Sequence, residues 1–340
     1  MQAQPTRRDD TPARPALRVR GLSVSFTAGR GVVPAVRGVD LDVARGKLVA
    51  LLGESGSGKS VTARAVMGLS GPGARVDADE ISLGGTDLRE LGERRLRDLR
   101  GQRMSLVLQD ALSALNPVLT IGDQLGELFR VHSGASRKAA AARAVDLLGL
   151  VGIPAPRRRV GDYPHQFSGG MRQRILIAMA IALEPELLIA DEPTTALDVT
   201  VQAQILDLLG RLRERLDMGV LLITHDLAVV TEVADELAVM YAGRIVEQGD
   251  ADAVLTHPAH PYTEALLHSV PRIERRGEDL LTIPGAPPNP TRVPTGCPFH
   301  PRCHRVVDQC RAIRPDLVPI GAARATACHQ SEVMLSESAG

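Results

Sequence analysis

Residues 53–60 combine three glycines, a lysine and a terminal hydroxyl in the order Gly-Glu-Ser-Gly-Ser-Gly-Lys-Ser. They fit the phosphate-loop pattern G-x-x-x-x-G-K-[ST] without a mismatch. Glycines let successive backbone N–H groups point at phosphate oxygens, while Lys59 can reach the β- and γ-phosphates and Ser60 can ligate Mg²⁺. The loop residues that we expect to bind nucleotide are Gly53, Ser55, Gly56, Ser57, Gly58, Lys59 and Ser60. The pattern predicts a nucleoside triphosphate site.

The segments on either side of this loop have the character that the motif requires. Residues 47–52 are mostly apolar, as in a buried strand, and residues 61–69 have the composition of a helix. The chain has only three lysines against 40 lysines and arginines in total, and one of the three is Lys59. A compact ammonium fits between phosphates better than a flat guanidinium does. Strand, loop and helix together support phosphate binding.

Two later strands end in residues that could act on a bound triphosphate. Four apolar residues, 187–190, precede Asp191 and Glu192. In a phosphate-loop protein an acid at this place holds the Mg²⁺ that bridges the phosphates, and a second acid can polarise the attacking water. His225 follows the apolar run 220–224 and could sense the γ-phosphate, although a His in that place can also be an ordinary loop residue.

Composition limits the kind of protein this is. A chain of 340 residues has room for about two domains. Its 40 basic and 40 acidic residues give a formal charge of +0, which argues against nucleic acid as the main partner. No run approaches the ~18 apolar residues of a membrane span, and residues 1–16 are polar and are expected to be a disordered tail, not a signal peptide. We expect a cytoplasmic protein.

Hydrophobic patterning predicts how the chain is organised around these residues. Residues 17–52 alternate apolar and polar positions, which is typical of antiparallel strands leading into the strand before the loop. Residues 110–174 have helical periodicity. The alternation of strands and helices elsewhere predicts a largely parallel sheet covered by helices on both faces.

Residues 17–250 resemble the ATP-binding cassette (ABC) ATPases. The resemblance rests on the phosphate loop, Gln109 as the glutamine loop, Ser168-Gly-Gly-Met171 as the signature, the acidic pair, the turn at 196–198 and His225. Phe167 and Met171 depart from the residues most frequent at those signature positions. The implied fold is α/β: a phosphate-loop NTPase (RecA-like) core, an antiparallel β subdomain, a helical signature subdomain at about 110–174 and a small Cys-containing C-terminal extension.

This resemblance also implies roles for individual residues. Two cassettes would pair head to tail, so that Ser168, Gly169 and Gly170, with Asp198 nearby, act on the partner's ATP. Lys59, Asp191, Glu192 and His225 would act on the chain's own ATP, with Glu192 as general base. Mg²⁺ would be held by Ser60, Gln109 and Asp191. Phe26 lies where the family places its adenine-stacking aromatic residue; the alternative is an ordinary core phenylalanine.

The stretch 251–330 narrows the resemblance to the dipeptide, oligopeptide and nickel import ATPases, with His260, Pro261 and Tyr262 as their His-Pro-Tyr element; residues 331–340 are expected to be a tail. It implies a subunit on the cytoplasmic face of the membrane that energises import of short peptides or a related solute. Its partners would be two membrane permeases, a second ABC ATPase, favoured as a paralogue, and an extracytoplasmic solute-binding protein. The alternatives are a soluble non-transport ATPase and a metal- or redox-sensing cassette.

All four cysteines lie in this extension, at Cys297, Cys303, Cys310 and Cys328. The gaps of five, six and seventeen residues lack the C-x2-C pairs of most structural zinc sites. Four thiolates suit an iron–sulfur cluster, and the family resemblance implies a [4Fe–4S] cluster at such cysteines. Zinc and unligated buried thiols are the alternatives. The nearby histidines are predicted to cap a helix.

Overall fold

The structure is a computed structural model that describes residues 14–28, 31–109, 114–195, 197–269, 283–321 and 323–338. The strands are β1 (Leu17–Ala28), β2 (Gly31–Val43), β3 (Leu48–Leu52), β4 (Ala74–Asp77), β5 (Glu80–Leu83), β6 (Thr86–Asp87), β7 (Met104–Val107), β8 (Leu187–Asp191), β9 (Gly219–Thr224), β10 (Glu236–Tyr241), β11 (Arg244–Asp250), β12 (Val318–Pro319) and β13 (Ala325–Thr326). The helices are α1 (Lys59–Val66), α2 (Glu93–Leu99), α3 (Ile121–Ser133), α4 (Arg137–Leu150), α5 (Pro156–Arg159), α6 (Gly169–Ile181), α7 (Val199–Leu216), α8 (Leu227–Val233), α9 (Ala251–Thr256), α10 (Pro261–His268), α11 (Asp308–Ala312) and α12 (Ser331–Ser338). No helix in these ranges has the length and apolar character needed to cross a membrane.

The central sheet has eight strands in the order β12-β13-β11-β10-β3-β9-β8-β7. The five strands from β10 to β7 run parallel, which confirms the predicted parallel core. Every residue of β3, β8 and β9 is buried, as expected for strands covered on both faces. Their carboxyl ends therefore meet at one edge of the sheet.

A second sheet is antiparallel, with the order β2-β1-β5-β6 and with β4 also paired to β1. β1 and β2 pair along most of their length, from Leu17 opposite Val43 to the turn between them. Apolar side chains of this sheet, such as Leu22, share a core with Leu51 of β3 and Ile223 of β9. The antiparallel subdomain predicted from the alternation is confirmed; residues 29–30 lie outside the described residues.

Helices α3 to α6 form the predicted helical region, whose first residues, 110–113, lie outside the described ranges. Thr120 and Ser136 begin α3 and α4 by accepting hydrogen bonds from the backbone N–H groups of Asp123 and Ala139. Leu125, Leu148 and other apolar side chains of these helices join one core with strands β8 and β9. This region is thereby fixed to the central sheet.

The C-terminal extension shares its core with the cassette. Tyr262 and Phe299 pack in one cluster with Leu52 of β3 and Tyr241 of β10. Strand β13 pairs with β11 and extends the central sheet. Residues 331–338, within the predicted tail 331–340, form helix α12, and Met334 there is only 3% exposed. Ala16, at the end of the other predicted tail, is also buried, whereas residues 1–13 lie outside the described residues.

Glu247 on β11 connects this extension to the sheet through a fully buried carboxylate. It accepts hydrogen bonds from the backbone N–H groups of Ala259 (2.7 Å) and His260 (3.1 Å), and Arg324 donates to it at 2.7 Å. Burial raises the pKa of Glu247, and the bond from Arg324 opposes that rise. A buried carboxylate without its cation is strongly unfavourable. The Arg324 pair therefore stabilises the start of helix α10.

Replacing Arg324 by Met keeps the side-chain stem but leaves Glu247 without its cation. We expect the free energy of unfolding to fall by about 3 kcal/mol at pH 8. In the folded variant, Glu247 would bind a proton more tightly than in the unfolded chain, so the variant's stability falls as pH rises. Its loss of stability relative to the unmodified chain therefore shrinks toward pH 5. Urea unfolding at both pH values measures this.

The matched control is Arg75→Met, because Arg75 pairs with Asp77 in an ion pair whose side chains are 79% and 60% exposed. That change should leave the free energy of unfolding nearly unchanged at either pH, because water screens an exposed ion pair. Equal deficits at pH 5 and pH 8 for the Arg324 variant would contradict this account of Glu247.

Candidate functional site

The phosphate loop leaves β3 at Leu52 and enters α1 at Lys59. Gly58, just before the helix, has φ 111°, a left-handed value that favours glycine. A Cβ at Gly53 would lie 2.3 Å from the carbonyl oxygen of Met240, so the loop also needs glycine there to pass close to the end of β10. The sequence pattern thus has a direct steric cause.

Lys59 is 5% exposed, and its ammonium is held by the loop itself. Its Nζ donates to the carbonyl oxygens of Gly53 (2.7 Å) and Glu54 (3.0 Å). Burial lowers the pKa of Lys59, although the carboxylates of Glu192 and Asp191 oppose that change. An ammonium has three donors, so a phosphate oxygen can be bound in addition to the two carbonyls.

Asp191 is the last residue of β8 and faces the start of α1. The Ser60 hydroxyl donates to its Oδ1 at 2.9 Å. Burial raises the pKa of Asp191, while this hydrogen bond opposes the rise. A desolvated carboxylate beside a hydroxyl is the oxygen donor set that Mg²⁺ prefers next to phosphates. The residues present therefore fit the magnesium ion implied by the fold.

Glu192 is fixed from three directions. Gln109 Nε2 and Thr195 Oγ1 each lie 3.0 Å from its Oε2, and His225 Nδ1 lies 3.1 Å from its Oε1. Its backbone has φ 48° and its N–H donates to the carbonyl of Ile223 at 2.9 Å. A carboxylate held in this way presents a fixed base to a reactant.

Thr195 is the residue of this group that sequence reasoning missed. Its hydroxyl stands three residues after Glu192, a spacing that lets the side chain turn back to the acid. That spacing was the only sequence indication, and it is common in loops without any function.

Lys59, Ser60, Gln109, Glu192 and His225 line one open cleft of about 580 Å³, a volume within the range of small-molecule sites. Its walls are formed by Val33, Ala35, Glu54, Ser55, Gly56, Gly58, Lys59, Ser60, Val61, Gln109, Glu192, His225, Leu266 and Pro290. The structure thus brings together the phosphate loop, the acid pair, the glutamine and the histidine. The C-terminal extension also contributes to the walls, through Leu266 and Pro290, which the sequence did not predict.

The signature residues and Asp198 do not line this cleft. Ser168 begins helix α6 and accepts from the backbone N–H of Met171, and Asp198 begins α7 by accepting from Val201 at 2.9 Å. Gly169 and Gly170 lie in the first turn of α6, and Ala196 of the predicted turn lies outside the described residues. Their contacts with nucleotide stay predictions.

Phe26 does not line the cleft either. It packs half-buried against the core between the two sheets, opposite Val33 of β2, which does line the cleft. Both the adenine-stacking role and the core role are compatible with this position, so the stacking role stays a prediction.

The four cysteines lie close together in the extension without a disulfide. Cys297 donates its backbone N–H to the carbonyl of Cys310 at 2.8 Å. Burial raises the pKa of Cys297 to about 11 and that of Cys328 to about 12, and the other three cysteines add to the rise at Cys328. Within the described ranges, no three Cys, His, Asp or Glu side chains meet as ligands of one metal ion.

Known proteins share these features. Residues 36–195 match the family model described as "ABC transporter", and residues 246–310 match "Oligopeptide/dipeptide transporter, C-terminal region". The chain is 51% identical over 300 residues to the dipeptide transport ATP-binding protein DppD of Bacillus subtilis (88% of this chain, 90% of the relative). It is 47% identical over 313 residues to DppD of Escherichia coli (92% of this chain, 96% of the relative). A solved dimeric, post-hydrolysis state of an ATP-binding cassette with ADP and Pi has a TM-score of 0.62 at 26% identity, covering 69% of this chain and 98% of that one.

The position of Glu192 generates a direct test of its chemistry. Glu192→Gln keeps the shape of the side chain but removes the base, so we expect nucleoside triphosphate binding to persist while hydrolysis slows at least about 100-fold. Single-turnover release of phosphate and equilibrium nucleotide binding measure the two effects. Glu232→Gln, an exposed glutamate on α8, is the control and should leave both unchanged. Near-normal turnover in Glu192→Gln would contradict the assignment of the base.

Proposed function

The chain belongs to the ABC transporter ATPases that carry the oligopeptide/dipeptide C-terminal region, and from that membership we propose that it hydrolyses ATP to energise the import of short peptides across a membrane. One observation carries the proposal: a carboxylate fixed by Gln109, Thr195 and His225 stands in the same cleft as the phosphate-loop lysine. Dipeptide transport ATP-binding proteins are its relatives over nearly the whole chain.

Different residues of the cleft bind the phosphates, accept the proton of water and orient the base. The phosphate loop and Lys59 bind the β- and γ-phosphates of ATP and offset charge on the γ-phosphoryl group. Glu192 accepts the proton of a water that attacks the γ-phosphorus, and the bond to the β–γ bridging oxygen breaks to give ADP and phosphate. Ser60 and Asp191, with Gln109 as the further ligand implied by the family, would hold Mg²⁺, and that ion would supply positive charge to the phosphates. His225 orients Glu192 and contacts the γ-phosphate.

We propose that a second cassette completes this site. The cleft is open, and Ser168, Gly169 and Gly170 lie outside it at the start of the thirteen-residue helix α6. A helix start with two glycines suits a phosphate oxygen, because backbone N–H groups and the helix dipole both point to it. Head-to-tail pairing would bring these residues and Asp198 to the partner's ATP. The similarity to a cassette solved as a dimer supports this arrangement. The resemblance to the importer family favours a paralogue as the second cassette.

The membrane partners would dock on the helical region. Val118 is 76% exposed there, with Leu119 and Tyr163 also exposed. Apolar residues exposed nine and ten positions after Gln109 in the chain suit contact with a permease. Movement at such a contact would reach Glu192 through the Gln109 side chain. From the family resemblance we further propose two permeases, an extracytoplasmic solute-binding protein and a location on the cytoplasmic face of the membrane.

Affinity purification from gently solubilised native membranes tests the transport assignment. We expect two multispanning proteins and a second cassette protein to co-purify with the tagged chain. Val118→Asp should reduce the recovered permeases at least about tenfold, since a carboxylate in an apolar contact loses its hydration. Val32→Asp, at an exposed valine of the antiparallel sheet, is the matched control. Recovery of ribosomes, or of a lone soluble dimer, would instead favour the non-transport alternative.

We also propose that the four cysteines hold a [4Fe–4S] cluster that stabilises the extension. Cys297 and Cys310 lie in one apolar core with Cys303 packed against it, and the thiol of Cys328 is influenced by all three. Thiolates crowded into a desolvated site repel one another, and iron would offset that charge. A single zinc ion is the less favoured ligand, because the cysteine spacing lacks the C-x2-C pairs of most structural zinc sites.

Metal analysis of protein purified without oxygen distinguishes these possibilities. We expect about four iron and four acid-labile sulfide per chain with broad brown absorption, and loss of both in Cys328→Ser. Zinc without sulfide would favour the single-ion site, and neither metal would mean unligated thiols. With no Trp and three Tyr in the chain, little protein absorption competes with the cluster's.

A further inference from the structure

Glu54, the second residue of the phosphate loop, is held at two points by the C-terminal extension. Arg302 Nη1 lies 2.7 Å from its Oε2 and Nη2 lies 2.9 Å from its Oε1, the geometry of a bidentate ion pair. The backbone N–H of Glu54 donates to the Tyr262 hydroxyl at 2.9 Å. These partners stand 248 and 208 residues later in the chain. The extension therefore fixes both the side chain and the backbone of a loop residue.

Both partners are themselves rigid. Arg302 is 7% exposed, and its Nε donates to the carbonyl of Pro284 at 2.9 Å. Its guanidinium lies about 6 Å from the ring centres of Tyr241 and Phe299. Tyr262 is fully buried, with its ring centre 4.6 Å from that of Tyr241. An arginine packed in this way holds its partner in one position, because few other rotamers are open to it.

The charge of Glu54 would otherwise oppose the binding of a triphosphate. Glu54 lines the same cleft as Lys59, and its backbone carbonyl accepts from the Lys59 ammonium at 3.0 Å. Without a cation beside it, the Glu54 carboxylate would repel phosphate oxygens and compete with them for Lys59. Two parallel hydrogen bonds from Arg302 turn the carboxylate to the extension and balance its charge.

We propose that Arg302 is a positioning residue for nucleotide binding, acting through the carboxylate of Glu54, and that Tyr262 supports it by holding the Glu54 backbone. This inference rests on the proposed ATP site and adds to it that the extension forms part of that site. It also predicts a charge dependence that simple structural support would not produce: removing the carboxylate compensates for removing the arginine.

A double-mutant cycle on the full chain tests the inference, with equilibrium binding of Mg²⁺–ATPγS and Mg²⁺–ADP as the readout. We expect Arg302→Gln to raise the Kd for Mg²⁺–ATPγS at least about tenfold, and the Kd for Mg²⁺–ADP less, because the triphosphate carries more negative charge. Glu54→Gln alone should change either Kd less than about threefold, and the double variant should return to within about threefold of the unmodified chain.

Arg305→Gln is the matched control, because Arg305 lies in the same extension and pairs with Glu264 and Glu337 instead of a loop residue. It should leave both Kd values unchanged. An Arg302→Gln variant that binds normally, or one whose loss persists after Glu54→Gln, overturns the inference. Failure of the unmodified chain to bind Mg²⁺–ATPγS would instead contradict the proposed function.

Arg302→Lys keeps the result decisive if the Gln variant does not fold. Lysine retains the charge but cannot donate two parallel hydrogen bonds, so its Kd for Mg²⁺–ATPγS should rise by an intermediate factor of about three. Adding Glu54→Gln to that variant should remove the rise. Suppose that the Arg302→Gln variant unfolds and that Arg302→Lys binds Mg²⁺–ATPγS with an unchanged Kd. Arg302 would then serve folding and not nucleotide binding.

Discussion

The charge balance around one buried ammonium governs the rest of this site. Lys59 is nearly inaccessible to solvent, and burial lowers its pKa, yet the carboxylates of Glu192, Asp191 and Glu54 all act on it. Each of the three carboxylates is held by a different kind of partner. Glu54 has a guanidinium, Asp191 has a hydroxyl and the place for a divalent cation, and Glu192 has an amide, a hydroxyl and an imidazole. Glu192 is the carboxylate to which we assign the role of general base.

The strand order explains why these groups meet. β9 lies between β3 and β8, so His225, which follows β9, stands between the phosphate loop and the acid pair. β7 is the next neighbour of β8 and brings Gln109 to the side of Glu192. Because the five strands are parallel, their carboxyl ends lie at one edge, and the segments after β3, β7, β8 and β9 each supply one group. Residues 59, 109, 192 and 225 therefore converge although the chain separates them by as many as 166 positions.

Sequence reasoning succeeded where a residue's role follows from its neighbours in the chain. The phosphate loop, the acid pair after an apolar run and the alternating strands all carry local signals, and the parallel and antiparallel sheets are as predicted. It failed where burial depends on distant contacts. Helix α12 was predicted as a tail because nothing local shows that Met334 is buried. Nothing local in the sequence indicates a role for Arg302, since its partner Glu54 is 248 residues away.

Two different parts of the chain, the helical region and the C-terminal extension, hold the cleft from opposite sides. On one side Gln109 joins the acid pair to the helical region, and on the other Arg302 and Tyr262 join the phosphate loop to the extension. The extension cannot act as a separate unit, because Tyr262 and Phe299 share a core with Leu52, the last residue before the loop. A displacement of that core would move the loop directly, whereas a displacement of the helical region would move the base. In the proposed mechanism, binding of the phosphates depends on the extension and activation of water depends on the helical region, so hydrolysis requires both contacts at once.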